Sequence, residues 1–186
     1  SVKAGESLIF LESLTNWTKV STAQGLIGYV ENKTVSESED LPVRAEDLSL
    51  DFPSISREHK INLGWHQVTS AEGNASFPGI VENAKGLNVI SPTWFKLADN
   101  EGTVTSLASR EYVDQAHNMG LEVWGLIDNF SENVTTAEVL SDGGKRSAII
   151  EQLMNAAADS GMDGINVDFE QLTKESIPHF LQFLRE

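Results

Sequence analysis

The chain has 186 residues, with 28 acidic against 13 basic side chains and a formal net charge of −15. This balance excludes general nucleic-acid binding, which needs clustered Lys and Arg against phosphates, and disfavours docking on anionic lipid headgroups by charge. Cysteine is absent, so disulfides and Cys-ligated metals are excluded, and no stretch approaches the run of about 18 apolar residues that a membrane-spanning helix needs.

The first thirty residues read as short strands. Residues 7–12 are apolar around Leu8, Ile9, Phe10 and Leu11, Trp17-Thr-Lys-Val20 follows, and a turn near Gly25 leads into Gly28-Tyr-Val30. Strands this short, separated by Asn, Thr and Gly, predict a small antiparallel unit over residues 1–35. The opening segment lacks the basic head and apolar core of a signal peptide, so any export signal is expected outside this chain. Residues 36–58 begin with the acidic run Ser36-Glu-Ser-Glu-Asp40 and are interrupted by Pro42 and Pro53, which predicts a linker.

From residue 59 the pattern alternates. Ile61-Asn-Leu-Gly-Trp65 and Leu87-Asn-Val-Ile-Ser91 are short apolar runs. Residues 109–119 carry Tyr112, Val113, Ala116 and Met119 on one helical face and end at Gly120. Leu121-Glu-Val-Trp-Gly-Leu-Ile127 is the next strand, residues 145–158 have helical spacing and end at Gly161, and Gly164-Ile-Asn-Val-Asp-Phe-Glu170 is a further strand. Residues 176–185 predict a last helix with Ile177, Phe180, Leu181 and Leu184 on one side. Repeated strand–helix–strand order implies an α/β fold with four parallel strands and right-handed crossovers. Composition alone leaves an open sheet and half of a barrel equally available.

The chemical signal is Asp163-Gly-Ile-Asn-Val-Asp-Phe-Glu170. Side chains alternate along a strand, so Asn166, Asp168 and Glu170 share one face and Ile165, Val167 and Phe169 the other. Three polar side chains in a row do not face a dry core without partners, so they line a cleft. Two carboxylates at i and i+2 repel, which raises the proton affinity of one of them, and a carboxyl kept protonated near neutral pH can act as a general acid. Glu170, nearest the strand's C-terminal end and longer in reach, is the natural donor, with Asp168 as its charged neighbour. A hard-cation site or a solvated edge strand is the blander alternative for the same residues. His59, His117 and His179 show no ligand spacing, so no zinc site is assigned, and nothing calls for a cofactor.

This stretch resembles the Asp-x-x-Asp-x-Asp-x-Glu signature of family 18 glycoside hydrolases, where it occupies the fourth strand of a (β/α)8 barrel. Ile61-Asn-Leu-Gly-Trp-His-Gln-Val68, Asn88-Val-Ile-Ser-Pro-Thr-Trp-Phe95 and Leu121-Glu-Val-Trp-Gly-Leu-Ile-Asp-Asn-Phe130 look like the first three strands of bacterial members that act on cell walls. The resemblance implies that residues 59–186 form the N-terminal half of such a barrel. It implies that Glu170 protonates the glycosidic oxygen while Asp168 orients the substrate's N-acetyl group, whose carbonyl oxygen attacks C1. The substrate is then an N-acetylglucosamine polysaccharide, peptidoglycan or chitin. Asn166 stands where many chitinases carry Asp and reads as a mark of the cell-wall subgroup. Asp163 is expected to make structural hydrogen bonds in support. The Ser-x-Gly-Gly run common on the third strand of chitinases is missing, which weakens chitin as the specific polymer.

Around this centre, Trp65, Trp94 and Trp124 lie near strand ends and are candidate platforms for sugar rings, Trp94 being the best placed after Pro92. Core positions are the alternative for each. Asp128 and Asn129 end the third strand and either bind sugar hydroxyls or cap the following turn. His66 either lines the cleft or is a satisfied structural histidine. Gly5-Glu-Ser-Leu-Ile-Phe10, Asn16-Trp-Thr-Lys-Val20 and Gly25-Leu-Ile-Gly-Tyr-Val30 resemble the later strands of a bacterial SH3-like domain, with Trp17 and Tyr29 as binding aromatics or, preferably, as core of a tiny barrel. A complete barrel takes about 250 residues, so the chain is expected to be cut at both ends, inactive by itself, and prone to self-association through the incomplete barrel. The resemblance places the parent outside the cell or on the bacterial wall, without membrane insertion. A glycan-binding module without catalysis is the competing reading, and a scaffold with an unused cleft is a third.

Overall fold

The computed structural model describes residues 2–23, 25–39 and 57–186. The chain divides into two compact units, Ser1–Glu58 and His59–Glu186. Most of the expected linker, including Pro42 and Pro53, lies outside the described residues.

The first unit holds an antiparallel sheet of three strands in chain order, β1 (Ile9–Ser13), β2 (Trp17–Ser21) and β3 (Ile27–Glu31). The side chain of Asn32 ties its turns together. Its amide nitrogen donates to the carbonyls of Leu14 and Thr15, and its oxygen accepts from the Thr18 hydroxyl. Val20 is the buried apolar side chain of this sheet, while Phe10, Trp17 and Tyr29 are exposed. Trp17 and Tyr29, read preferably as core of a tiny barrel, are thus exposed among the described residues.

The second unit contains β4 (Leu63–His66), α1 (Phe77–Val81), β5 (Val89–Pro92), β6 (Phe95–Leu97), β7 (Val104–Ser106), α2 (Arg110–Asn118), β8 (Glu122–Asp128), α3 (Thr136–Ser141), α4 (Gly143–Ser160), β9 (Gly164–Asp168) and α5 (Ile177–Arg185). Strands β4, β5, β8 and β9 lie side by side in chain order, all parallel, with Trp65 opposite Ser91, Ile90 opposite Val123 and Asp128 opposite Asp168. Two further strands accompany the four that the alternation predicts. Pro92 lacks the N–H that would continue β5. The chain turns and resumes as β6, which pairs in parallel with the later part of β8 and folds back antiparallel on β7. Helices α1 and α3 are five and six residues long, too short to reveal a helical period in the sequence.

Local chemistry sets the longer helices. The Ser109 side chain accepts from the Tyr112 N–H at the start of α2, and the Asp142 carboxylate accepts from Gly144 and Lys145 at the start of α4. Gly120 and Gly161, just past their ends, have positive φ as expected of C-terminal caps.

One face of the parallel sheet is dry. Ile90, Val123 and Ile127 pack against Tyr112, Val113 and Ala116 of α2, Val139 and Leu140 of α3, and Ile149 and Leu153 of α4. Each large apolar side chain buried in this way contributes about 1.5–3 kcal/mol over an exposed one. Phe169, just past β9, stacks on Phe183 of α5 with ring centroids 5.7 Å apart.

A charge pair closes the α4–α5 corner. Arg146 is buried, donates to the Leu140 carbonyl, and makes a forked pair with Glu186 at 2.8 and 2.9 Å. Hydrogen bonds from Arg146 hold the Glu186 carboxyl below its ordinary value of 4.5. A lowered carboxyl pKa adds stability that is present above 4.5 and is lost as the pH falls through the folded value. Replacing Glu186 by Ala leaves the Arg146 charge buried and should cost about 3 kcal/mol at pH 7 by urea denaturation. The gap between the two proteins should narrow as the pH is lowered below 4.5.

Candidate active site

The β8–β9 ladder decides which side chains meet. It runs from Trp124 opposite Gly164 to Asp128 opposite Asp168. Ile165, Val167 and Phe169 turn to the helix layer and pack with the core. Asn166 and Asp168 turn to the other face, at the C-terminal end of the parallel strands, where clefts form in α/β proteins, and Glu170 follows two residues past the end of β9. Asp168 is half-buried and Glu170 exposed. Among the described residues neither carboxylate accepts a hydrogen bond, so both are free to receive a ligand.

The surrounding polar groups are engaged. The Asn166 amide nitrogen donates to the Ser91 hydroxyl at 3.1 Å, and Ser91, fully buried, donates onward to the Trp124 carbonyl at 2.7 Å. Ser91 was not singled out from the sequence. The available signal was a lone hydroxyl inside the apolar run Val89-Ile-Ser-Pro92, which needs a partner when buried. Asp163 accepts from the Val123 N–H at 2.7 Å and meets the His117 ring at 2.9 Å, at the opposite end of the strand from Glu170. Asp128 is buried beside Asp168 and accepts from the Phe130 N–H, the turn-capping alternative. Asn129 reaches across to the main chain of Glu170.

The three tryptophans part company. Trp94 is 1% exposed, edge-on to Tyr112 and Phe95, with its indole N–H donating to Asn74. It has no ring face left for a sugar, so the best-placed platform of the sequence reading is a core residue. Trp124 lies early on β8, about 13 Å along the strand from Asp128 at about 3.3 Å per residue. A Cβ on Gly164 would sit 3.2 Å from its ring, so this indole covers the glycine at the lower end of the sheet rather than the Glu170 end. Trp65 is 70% exposed and pairs with Ser91, in register with the polar face.

No family model and no curated protein matches the sequence. Solved structures do. The spore cortex-lytic enzyme SleL of Bacillus cereus is similar over 67% of this chain and 31% of that chain, with 18% identity and a TM-score of 0.55. A chitinase from Bacteroides thetaiotaomicron matches over 68% of this chain and 42% of that chain, at 15% identity and a TM-score of 0.54. A family 18 chitinase from Cycas revoluta, in complex with allosamidin, matches over 67% and 38%, at 16% identity and a TM-score of 0.54. The likeness is one of fold: about two thirds of the chain has a chitinase-like α/β architecture, and the chain spans between about a third and two fifths of those proteins' length.

His66 lies on the helix side, buried, with Nδ1 2.9 Å from the Tyr112 hydroxyl and Nε2 3.2 Å from Ser76 Oγ. Ser76 spends its own proton on the Gly73 carbonyl, so Nε2–H donates to Ser76 and the Tyr112 hydroxyl donates to Nδ1. This is the satisfied structural histidine, not a cleft residue. Burial lowers its pKa below 6.5. The unfolded chain therefore binds more protons between that lowered value and 6.5, so stability should rise with pH across the window and be flat above it. Urea midpoints across pH 5 to 8 should show this rise in the native protein, and a His66→Gln variant should lack it.

Proposed function

We propose that residues 59–186 form the first half of a family 18 glycosidase barrel and carry its proton donor. Strand order supports the barrel. Four parallel strands follow chain order without the reversal that marks a doubly wound sheet. The observation that supports the function is Asn166 and Asp168 on the face away from the helices, with Asn166 anchored through Ser91, Glu170 following just past the strand end, and both carboxylates unpartnered among the described residues.

In this reading Glu170, as the acid, gives its proton to the glycosidic oxygen as the C1–O bond breaks. Asp168 holds the 2-acetamido group so that its carbonyl oxygen closes on C1, giving an oxazolinium ion. Water then opens that ring, with the Glu170 carboxylate taking the water's proton. Asn166 holds its neighbour Asp168 in register by hydrogen bonding to β5 without adding a charge. Exposed Trp65 is the tryptophan available for stacking on sugar. The substrate class is an N-acetylglucosamine polysaccharide, peptidoglycan or chitin, which puts the protein at a bacterial cell surface. No helix among the described residues is long and apolar enough to cross a membrane. The N-terminal three-stranded sheet, with Trp17 and Tyr29 exposed, fits part of an SH3-like wall-binding module.

Among the described residues β4 and β9 each have a single parallel neighbour, so each leaves one edge of the parallel array unpaired. The 186-residue chain alone should therefore release no muropeptides from peptidoglycan and should self-associate. Full activity from the isolated chain would overturn the half-site reading. In the full gene product, Glu170→Gln should lower turnover by about 10² to 10⁴-fold, the usual contribution of general acid–base help, with glycan binding retained. Unchanged turnover would overturn the assignment of Glu170. Binding without any turnover in the native protein would favour the glycan-binding module.

A further inference from the structure

The β8–β9 ladder ends at Asp128 opposite Asp168, and one further rung follows it. The side chain of Asn129 supplies it. Its Oδ1 accepts from the Glu170 N–H at 3.0 Å, and its Nδ2 donates to the Glu170 carbonyl at 3.0 Å. A strand residue in a parallel ladder offers its N–H and C=O to the same neighbour. Here the amide of Asn129 takes the place of that neighbour after β8 has turned away. The amide cannot be reversed, since its NH₂ would then face the N–H and its oxygen the carbonyl. Its second N–H donates to the Thr136 hydroxyl at 2.7 Å, at the first residue of α3.

The following residue sharpens the constraint. Gln171 has φ of 54°, in the left-handed region that non-glycine residues rarely occupy. Such a conformation persists where the surroundings over-determine it. Phe169 is buried in the core on one side of Glu170, and Gln171 takes the left-handed conformation on the other.

Resting on the glycosidase reading above, we propose that Asn129, braced by Thr136, is the positioning residue for Glu170. It fixes the main chain of the proton donor so that the carboxyl meets the glycosidic oxygen, and it touches no sugar itself. Misplacement of a reacting group by about 1 Å can cost about 10²-fold in rate. In the full gene product Asn129→Ala should therefore lower kcat by about 10²-fold, with KM nearly unchanged. Thr136→Val should shift kcat in the same direction by less, and Thr136→Ser should restore it. Added to Glu170→Gln, Asn129→Ala should cause no further loss, because it acts through the group already removed.

A readout independent of turnover accompanies these. In the 186-residue chain the Glu170 amide should be protected from hydrogen exchange, and Asn129→Ala should bring it to the rate of an unprotected loop amide while neighbouring core amides stay protected. Unchanged protection, a rise in KM with kcat intact, or an additive loss in the double variant would each overturn the positioning role. If Glu170→Gln retained turnover, the glycosidase reading would fall, and the exchange result would still decide whether Asn129 holds Glu170.

Discussion

The parallel register between β8 and β9 governs the rest of this unit. It points Ile165 and Val167 at the helices, where Phe169 also packs, and Asn166 and Asp168 the other way. A slip by one residue would drive two carboxylates among Phe180 and Phe183 and strand three apolar side chains in water. The penalty for burying an unpaired charge is several kcal/mol, so the aromatic stack behind the strand protects the polar row in front of it. Core packing and site geometry are here two faces of one strand.

Side chains prolong that ladder beyond the backbone at both ends. Before β9, the carboxylate of Asp163 takes the Val123 N–H. After β9, the amide of Asn129 takes the N–H and carbonyl of Glu170. In the middle, Asn166 reaches through Ser91 to the main chain of β8. Buried or half-buried polar groups with satisfied partners rigidify a site, whereas the carboxylates of half-buried Asp168 and exposed Glu170 have no partner among the described residues. The arrangement separates groups that hold from groups that can act.

Exposure sorts the aromatic residues by the side of the sheet they occupy. Trp94 and His66 fall on the helix side and become core. Trp65 falls on the polar side and keeps its face open. Neither composition nor local sequence distinguishes these outcomes, because a tryptophan next to a strand end is compatible with both.

The alternating strand–helix pattern, the helix ends at Gly120 and Gly161 and the shared face of Asn166 and Asp168 were legible in the sequence, since a period of two, a helical period and a capping glycine are local properties. The β6–β7 hairpin was not legible. It follows from Pro92 breaking a strand whose continuation is recruited by β8, a partner some thirty residues away in the chain. The short helices α1 and α3 also went unseen, as neither is long enough to show a period. Among site residues, the roles of Ser91 and Asn129 required the fold, because a hydroxyl or an amide declares its function only by what lies within hydrogen-bonding distance. The sequence by itself thus determined which side chains can share a face. Tertiary structure decided which face is wet and which groups are held, because burial and hydrogen bonding are set by residues remote in the chain.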